Sequence, residues 1–196
     1  DALGPENVAI ISAGLLTATL SSASARTHVA AKSPLTGAVG STNMGGFFAP
    51  EMTWAGFHHL VLKGQAEEPV YIWVNNGKIE IRDASHLWGL PVRDTQKALQ
   101  DELGPQVQVM TIGPAGENLV RFATVMSGMK DAGGRSGLGA VLGSKRVKAV
   151  AVRGTMDVGI SYPKEALEYD YEVLKHISGT KFAQIMGKYG TMFIQS

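Results

Sequence analysis

Two stretches of the chain carry residue types that can hold an anion through main chain rather than net charge: Asn43-Met44-Gly45-Gly46 and Ala132-Gly133-Gly134-Arg135-Ser136-Gly137. Each precedes a segment whose pattern predicts a short helix, so backbone N–H groups can converge there on a phosphate or similar group. Arg26, at the start of a strand-like segment, and Arg135, inside the second loop, are the cations best placed to meet it. A guanidinium fork matches phosphate oxygens bidentately, which an ammonium cannot do. The surroundings are not those of a nucleotide site. Residues 137–145 read Gly-Leu-Gly-Ala-Val-Leu-Gly-Ser-Lys, with Ser and Lys in the wrong order for a P-loop, and Gly137-x-Gly139 is not followed by a strand carrying the acidic residue of a Rossmann fingerprint. The histidines, His28, His58, His59, His86 and His176, lack metal-ligand spacing and read as structural. Glu117 and Asp131 flank glycine turns with no second carboxylate at catalytic spacing, so acid–base chemistry is not expected of them. Phe47, Phe48, Trp54 and Phe57 read as core packing.

The composition bounds what can surround these loops. At 196 residues the chain can bury a sizeable core. Eighteen basic and seventeen acidic residues give a net charge of +1, which supplies no field for nucleic acid or an anionic membrane. There is no cysteine, so this span offers neither disulfides nor thiolate ligands for zinc or an iron–sulfur cluster. Apolar runs such as Val147–Val152 fall far short of the ~20 residues of a membrane span, and nothing in the first residues marks export. A chain that begins without Met and enters a strand at once reads as a piece of something longer. Eleven of the 24 glycines gather in three clusters, Gly37–Gly46, Gly113–Gly116 and Gly133–Gly143. Such clusters mark sharp turns or close approach of backbone.

The elements that must position the loops follow from periodicity. Val8–Ile11 and Arg26–Lys32 predict strands, Thr17–Ala25 an irregular loop, and Ser33–Gly37 a turn. Ala49–Gly56 predicts a short helix with Pro50 in its first turn. His59–Lys63, Val70–Val74 and Lys78–Arg82 predict three strands, the last two joined by the Asn76-Gly77 hairpin signal. Asp83–Gly89 reads as a connector, and Val92–Leu103 as a helix closed by Gly104-Pro105. Val107–Ile112 and Leu119–Met126 read as strands, Gly139–Ser144 as a short helix, and Val147–Arg153 as a strand. Lys164–Ile177 is an amphipathic helix opening a mostly helical region.

The order strand, turn, strand, glycine loop, short helix, strand occurs twice. Ile10–Gly14 matches Met110–Pro114, Gly46–Ala49 matches Gly137–Ala140, and Leu60–Gly64 matches Val150–Gly154. Two similar halves about a pseudo-twofold axis, each offering one glycine loop, suit a ligand itself made of two like parts.

Several longer blocks carry a resemblance. Lys32-Ser33-Pro34-Leu35-Thr36-Gly37, Asn43-x-Gly45-Gly46-Phe47-Phe48-Ala49-Pro50-Glu51 and Ala55-Gly56-Phe57 are similar to the aldehyde:ferredoxin oxidoreductase family. So are Pro69–Ile72, Ile79–Gly89, Ile112–Asn118, Gly139–Lys145 and, near the C-terminus, Gly187–Thr191. The resemblance implies an α+β fold: two pseudo-symmetric halves of mixed β-sheet with short helices, forming a base for a bis-pterin cofactor. It implies a pterin-binding N-terminal domain over residues 1–160, with repeats of about 1–100 and 101–160, and the start of a helical domain over 161–196. The implied cofactor is a tungsten (or molybdenum) bis-pyranopterin whose Mg2+ takes the backbone carbonyls of Asn43 and Ala132. Arg26, Asn43, Met44, Gly45, Ala132, Gly133, Gly134 and Arg135 are the implied cofactor-binding residues, Arg26 lying between pterin and a four-iron cluster. That cluster's cysteines and the catalytic residues are expected outside this span, as are roughly fifty residues before Asp1. The implied reaction oxidises an aldehyde to the acid in the cytoplasm, with electrons passing to ferredoxin or an iron–sulfur subunit of a homo- or hetero-oligomer. Reduction of an aromatic acyl-CoA by a tungsten subunit, or a scaffold that kept the fold without the metal, are the alternatives. Two departures stand out: Asp131 occupies a position where the family commonly has a cation, and a Ser-rich stretch replaces the Gly-Gly that commonly precedes Arg26.

Overall fold

The structure, a computed structural model, describes residues 1–195. It divides into two compact units, Asp1–Ala18 with Ser24–Val158, and Thr19–Ala23 with the residues from Gly159 on. The first contains strands β1 (Ala9–Ala13), β2 (Thr27–Lys32) and β3 (Val39–Met44), helix α1 (Phe48–Trp54) and β4 (His59–Leu62). The hairpin β5 (Val70–Asn75) and β6 (Lys78–Asp83) and helix α2 (Val92–Leu103) follow. Then come β7 (Gln108–Thr111), α3 (Pro114–Glu117), β8 (Val125–Ser127), β9 (Asp131–Gly133), α4 (Leu138–Ser144) and β10 (Val147–Arg153). The second unit carries α5 (Pro163–Ser178), α6 (Lys181–Tyr189) and a closing 3-10 turn, Gly190–Gln195; within it Ser22 caps onto Asp170, whose carboxyl is held below the usual range by those two hydrogen bonds. No helix among the described residues is long and apolar enough to cross a membrane.

The first unit is built from two sheets ordered β3-β2-β1-β4 and β6-β5-β10-β7-β8-β9. Leaving aside β5 and β6, each sheet is the same four strands in the same order. The third strand lies outermost, the second next, then the first, then the fourth, all antiparallel, with a short helix between the third and fourth. The β5–β6 hairpin precedes residue 101 in the chain yet joins the second sheet, β5 running parallel to β10, so the division at about residue 100 does not follow the sheets.

Strand composition explains which faces meet. β1 and β2 alternate, burying Ile11 and Val29 beneath the first sheet, where they pack with Phe48, Leu60, Met110, Ile112, Val125 and Val150 in the main core. β10 is an unbroken apolar run except for Lys148 and is buried over all but its last residue, as a central strand covered on both faces should be. Its other face, with Tyr71, Trp73 and Val109, is roofed by Leu99 of α2. Asn76 and Gly77 both adopt positive φ, 41° and 79°, closing the hairpin as a two-residue turn of the primed type.

Three expectations are corrected. β3 was hidden inside a glycine cluster, and β9 ends where another begins. Leu119–Met126 is strand only from Val125: Leu119 has φ 57° and Val120 donates to the Ala115 carbonyl, so the chain leaving α3 turns back on itself before it can extend.

Candidate functional site

The two glycine loops sit at matching places, each leaving the outermost strand of its sheet and entering a short helix. The structure brings them together, because β3 and β9 lie side by side. The contacts step in opposite senses along the two strands: Gly40 faces Ser136, Gly133 faces Thr42 and Met44, and Gly45 and Gly46 face Asp131. Missing side chains make this approach possible. A methyl group at Gly133 would stand 2.9 Å from Thr42 Cγ2 and 3.0 Å from Met44 Sδ; one at Gly40 would stand 2.6 Å from Ser136 Cβ. Ordinary carbon contacts begin near 3.5 Å.

The second loop has an unusual backbone. Arg135, Ser136 and Gly137 adopt left-handed φ in succession, 62°, 60° and 69°. For residues with a Cβ that conformation costs roughly 1–2 kcal/mol each, so it persists only where neighbours enforce it. Here the Ser33-Pro34-Leu35-Thr36 turn of the first half does so. Ser33 Oγ donates to the Ser136 carbonyl at 2.7 Å and accepts from the amides of Leu35 and Thr36 at 3.2 Å each. Gly137 is pressed against the Arg121 carbonyl, with no room for a Cβ.

The expected site residues fall along the margin these loops form. The β2–β3 register pairs Thr27 with Met44 and His28 with Asn43, which sets exposed Arg26 opposite Gly45. Asn43 and Ala132 are exposed on their strands, and Arg135 projects to solvent. Gly134 has nothing within 4 Å of where a Cβ would be, so its side of the loop is open. Met44 differs: its side chain is 1 % exposed, in the core, and only its main chain is available to a ligand.

Sequence reasoning passed over three neighbours. His28 Nδ1 lies 3.0 Å from Asn43 Oδ1, steadying that side chain; none of the five histidines is buried. Phe47, assigned to the core, is 65 % exposed, whereas Phe48 is buried. Phe47 and Met129 instead wall a cavity of about 440 Å3 beside the loops, whose rim includes Gly46, Ser127, Lys130 and Asp131. The Asp131 carboxylate is stationed against Gly45 and Gly46. Nothing in the local sequence signals that placement, since it depends on the meeting of two strands nearly ninety residues apart.

Away from the loops, two ion pairs stiffen the frame. Lys148, fully buried in β10, donates to Glu117 and, at 2.8 Å, to the Leu90 carbonyl, while the Gly89 amide donates to the other Glu117 oxygen at 2.9 Å. Burial holds the Lys148 ammonium below the ordinary lysine value against the opposing pull of Glu117. Glu51 of α1 accepts from Arg153 at 2.9 Å and from the Gly154 amide at 2.8 Å, tying the helix of one half to the last strand of the other. Among the described residues no cluster of three or more His, Cys, Asp or Glu side chains could hold a metal.

A family model for the aldehyde ferredoxin oxidoreductase N-terminal domain matches residues 1–154. A tungsten-containing aldehyde ferredoxin oxidoreductase of Pyrococcus furiosus is 49% identical over 162 residues, 82% of this chain and 27% of that protein. The corresponding protein of Pyrococcus abyssi is 42% identical over 193 residues, 97% of this chain and 32% of that one. The active site complex BamBC of benzoyl coenzyme A reductase, solved with 1,5-dienoyl-CoA, superposes with a TM-score of 0.88 at 42% identity, covering 91% of this chain and 27% of the solved one. The chain thus spans between about a quarter and a third of the length of these relatives.

Proposed function

The chain belongs to the aldehyde ferredoxin oxidoreductase family, and we propose that it is the cofactor-cradling part of a longer enzyme that oxidises aldehydes to carboxylic acids with a tungsten (or molybdenum) bis-pyranopterin. The observation that carries this reading is the adjacency of two topologically equivalent glycine loops at the junction of β3 and β9. A ligand with two phosphate-bearing halves needs two such loops within its own span. The residues present fit it. The open flank of Gly134 admits close approach, exposed Arg135 stands in the second loop and exposed Arg26 opposite Gly45 of the first, and main-chain oxygens suit Mg2+, which prefers oxygen ligands shared with phosphates.

In this proposal the carbonyls of Asn43 and Ala132 hold the Mg2+. Arg135 would turn its fork to a pterin phosphate and Arg26 would lie between pterin and the four-iron cluster, while Gly45, Gly133 and Gly134 keep side chains out of the way. The cofactor, once bound, supplies the two-electron redox chemistry. This span binds and orients it, and the left-handed run 135–137, locked by Ser33, makes the second loop rigid before the ligand arrives, which lowers the ordering cost of binding. Asp131 works against a phosphate placed beside Gly45 and Gly46, so the neutralising cation matters more here than where a basic residue stands. The four-iron cluster, the catalytic residues and docking of ferredoxin or an iron–sulfur subunit belong to the rest of the polypeptide, in a cytoplasmic oligomer.

A second reading is favoured by the 42% identity to the benzoyl coenzyme A reductase complex: a tungsten subunit acting on an aromatic acyl-CoA. The test of the first reading is elemental analysis of the anaerobically purified full-length protein, with tungsten or molybdenum, magnesium and iron expected, followed by dye reduction with aldehydes. Metal without aldehyde turnover, but with dye-linked oxidation of a dienoyl-CoA, selects the second. Absence of tungsten and molybdenum leaves a scaffold.

A further inference from the structure

The helices that leave the two glycine loops are each anchored in the opposite half, and by the same bond. Where Gly46–Ala49 matches Gly137–Ala140, Trp54 is the counterpart of Lys145; where Leu60–Gly64 matches Val150–Gly154, Ala66 is the counterpart of Met156. The Trp54 carbonyl, at the end of α1, accepts from the Met156 amide at 3.0 Å, and the Lys145 carbonyl, just past α4, accepts from the Ala66 amide at 3.1 Å. Each bond runs from the helix of one half to the chain leaving the last strand of the other, so the two braces cross.

A side chain reinforces each brace, with opposite charge. Glu51 of α1 accepts from the Gly154 amide at 2.8 Å and from Arg153 at 2.9 Å. Lys145 Nζ donates to the carbonyl of Gly64, the counterpart of Gly154, at 2.8 Å and to that of Pro5 at 3.2 Å. The Lys145 side chain has little reason to be there for stability. The residue is 2 % exposed, its two partners are neutral carbonyls, and burial holds its ammonium below the ordinary lysine value against the weaker pull of Glu6. An ammonium taken from water with no carboxylate bonded to it is a cost to the fold.

Both helices are also held at their other ends, where they meet the loops. Gly45 and Gly46, before α1, lie against Asp131, and Ser136, in the loop before α4, accepts from Ser33 at 2.7 Å. Each loop with its helix is thus pinned at both ends to the half that carries the other loop. Neither sheet alone sets the distance between the loops.

We infer that the crossed braces fix the separation of the two glycine loops, and that Lys145 is a positioning residue that holds the second loop at the spacing a two-part ligand needs. Loop spacing is a property of the protein alone; its use by a bis-pyranopterin rests on the proposed function. Lys145→Met tests both, because it keeps the apolar stem and the Ala66 bond and removes only the ammonium. In full-length protein freed of metal, hydrogen–deuterium exchange in peptides spanning 138–144 should rise about tenfold, while exchange in 147–152, the buried strand that follows, stays at the wild-type rate. In protein holding its cofactor, tungsten (or molybdenum) and magnesium should leave about tenfold faster under EDTA, because a loosened loop must be ordered again for each binding event. Unchanged exchange in 138–144 overturns the proposal, as does a rise shared equally by 147–152, which marks a merely structural lysine. Metal release at the wild-type rate from a variant whose exchange has risen overturns the positioning role. Wild-type protein that never holds tungsten or molybdenum refutes the cofactor reading instead, and the exchange comparison then decides the brace by itself.

Discussion

Replacing Gly133 and Gly134 separately by alanine distinguishes close packing between the loops from close approach to a ligand. At Gly133 the added methyl meets Thr42 Cγ2 at 2.9 Å and Met44 Sδ at 3.0 Å, roughly 0.5–1 Å inside comfortable contact. Thr42 is β-branched and stiff at χ1, and Met44 is 1 % exposed with its neighbours closed around it. The strain must therefore move β9 away from β3. Overpacking of this kind costs about 1–3 kcal/mol, equivalent to a fall of roughly 3–10 °C in Tm for a chain of this size. At Gly134 nothing lies within 4 Å and φ is not positive, so G134A should leave stability unchanged or raise it by about 0.4–1 kcal/mol through the unfolded state. Its methyl would nevertheless stand where the proposed pterin approaches. Thermal or urea unfolding alongside tungsten and magnesium content per polypeptide reads both effects. G133A should lose stability and cofactor together; G134A should lose cofactor alone. Equal destabilisation by both variants would refute the packing argument, and full metal content in G134A would remove Gly134 from the site.

Arg26→Ala should lower tungsten and magnesium occupancy while leaving the unfolding midpoint within about 0.5 kcal/mol, as for other exposed substitutions; unchanged occupancy excludes Arg26 from cofactor binding. Ser33→Ala removes the hydroxyl that fixes the left-handed run, and urea unfolding should show a loss of about 1–3 kcal/mol, with greater protease sensitivity at 134–137. Lys148→Met strands a Glu117 carboxylate that is 4 % exposed and should cost about 3–5 kcal/mol, whereas the K148M/E117L double variant should recover most of it; a double variant as unstable as the single contradicts the pairing. In Glu117→Gln the support for the Lys148 charge is gone, leaving burial, which already depresses that pKa. The folded state then binds fewer protons than the unfolded one below the ordinary lysine value near 10.4, so stability must rise with pH through the alkaline range. The difference in urea midpoint between E117Q and E117Q/K148M from pH 7 to 10 isolates the effect, and a flat or falling difference refutes it.

How much of this was legible in sequence depended on whether the signal was local. The Asn76-Gly77 hairpin, the α2 helix ending at Gly104-Pro105 and the largely apolar run of β10 each announce themselves within a dozen residues, and each formed as its pattern dictates. β3 and β9 do not. Their residues, Val-Gly-Ser-Thr-Asn-Met and Asp-Ala-Gly, lack the β-branched alternation of a strand, and they extend because β2 and β8 supply ladders to pair with. The same limit applied to the site. The loops could be found because glycine clusters are visible along the chain, but the clamp of Ser33 on Ser136 spans 103 residues and the seat of Asp131 on Gly45 and Gly46 spans about 85. Phe47 was misassigned to the core because a Phe-Phe pair gives no hint which ring turns outward; the helix periodicity beginning at Phe48 decides it.

The glycines that bring the loops together also explain why a duplicated sheet is a sound base for a ligand with two like halves. In both sheets the third strand is the outermost, so the loop that follows it opens at an edge rather than over a covered face. Set two such edges side by side and the loops adjoin without further design, provided the strands can approach. Gly40, Gly45, Gly46 and Gly133 permit that approach, each pressed against the opposite strand or its loop. The halves are nevertheless unequal. The first loop leaves its strand at Gly45-Gly46 facing an acid, and the second turns through three left-handed residues held by a serine of the first half. Two equivalent halves of a ligand would therefore meet different surroundings: near Gly45 a carboxylate that favours the metal-bridged form, and near Gly134 an open, rigid main chain flanked by Arg135. The consequence is a directional order of loss. Removing the divalent cation should release the half held by the first loop before the half held by the second, and replacing Asp131 by Asn should narrow that difference.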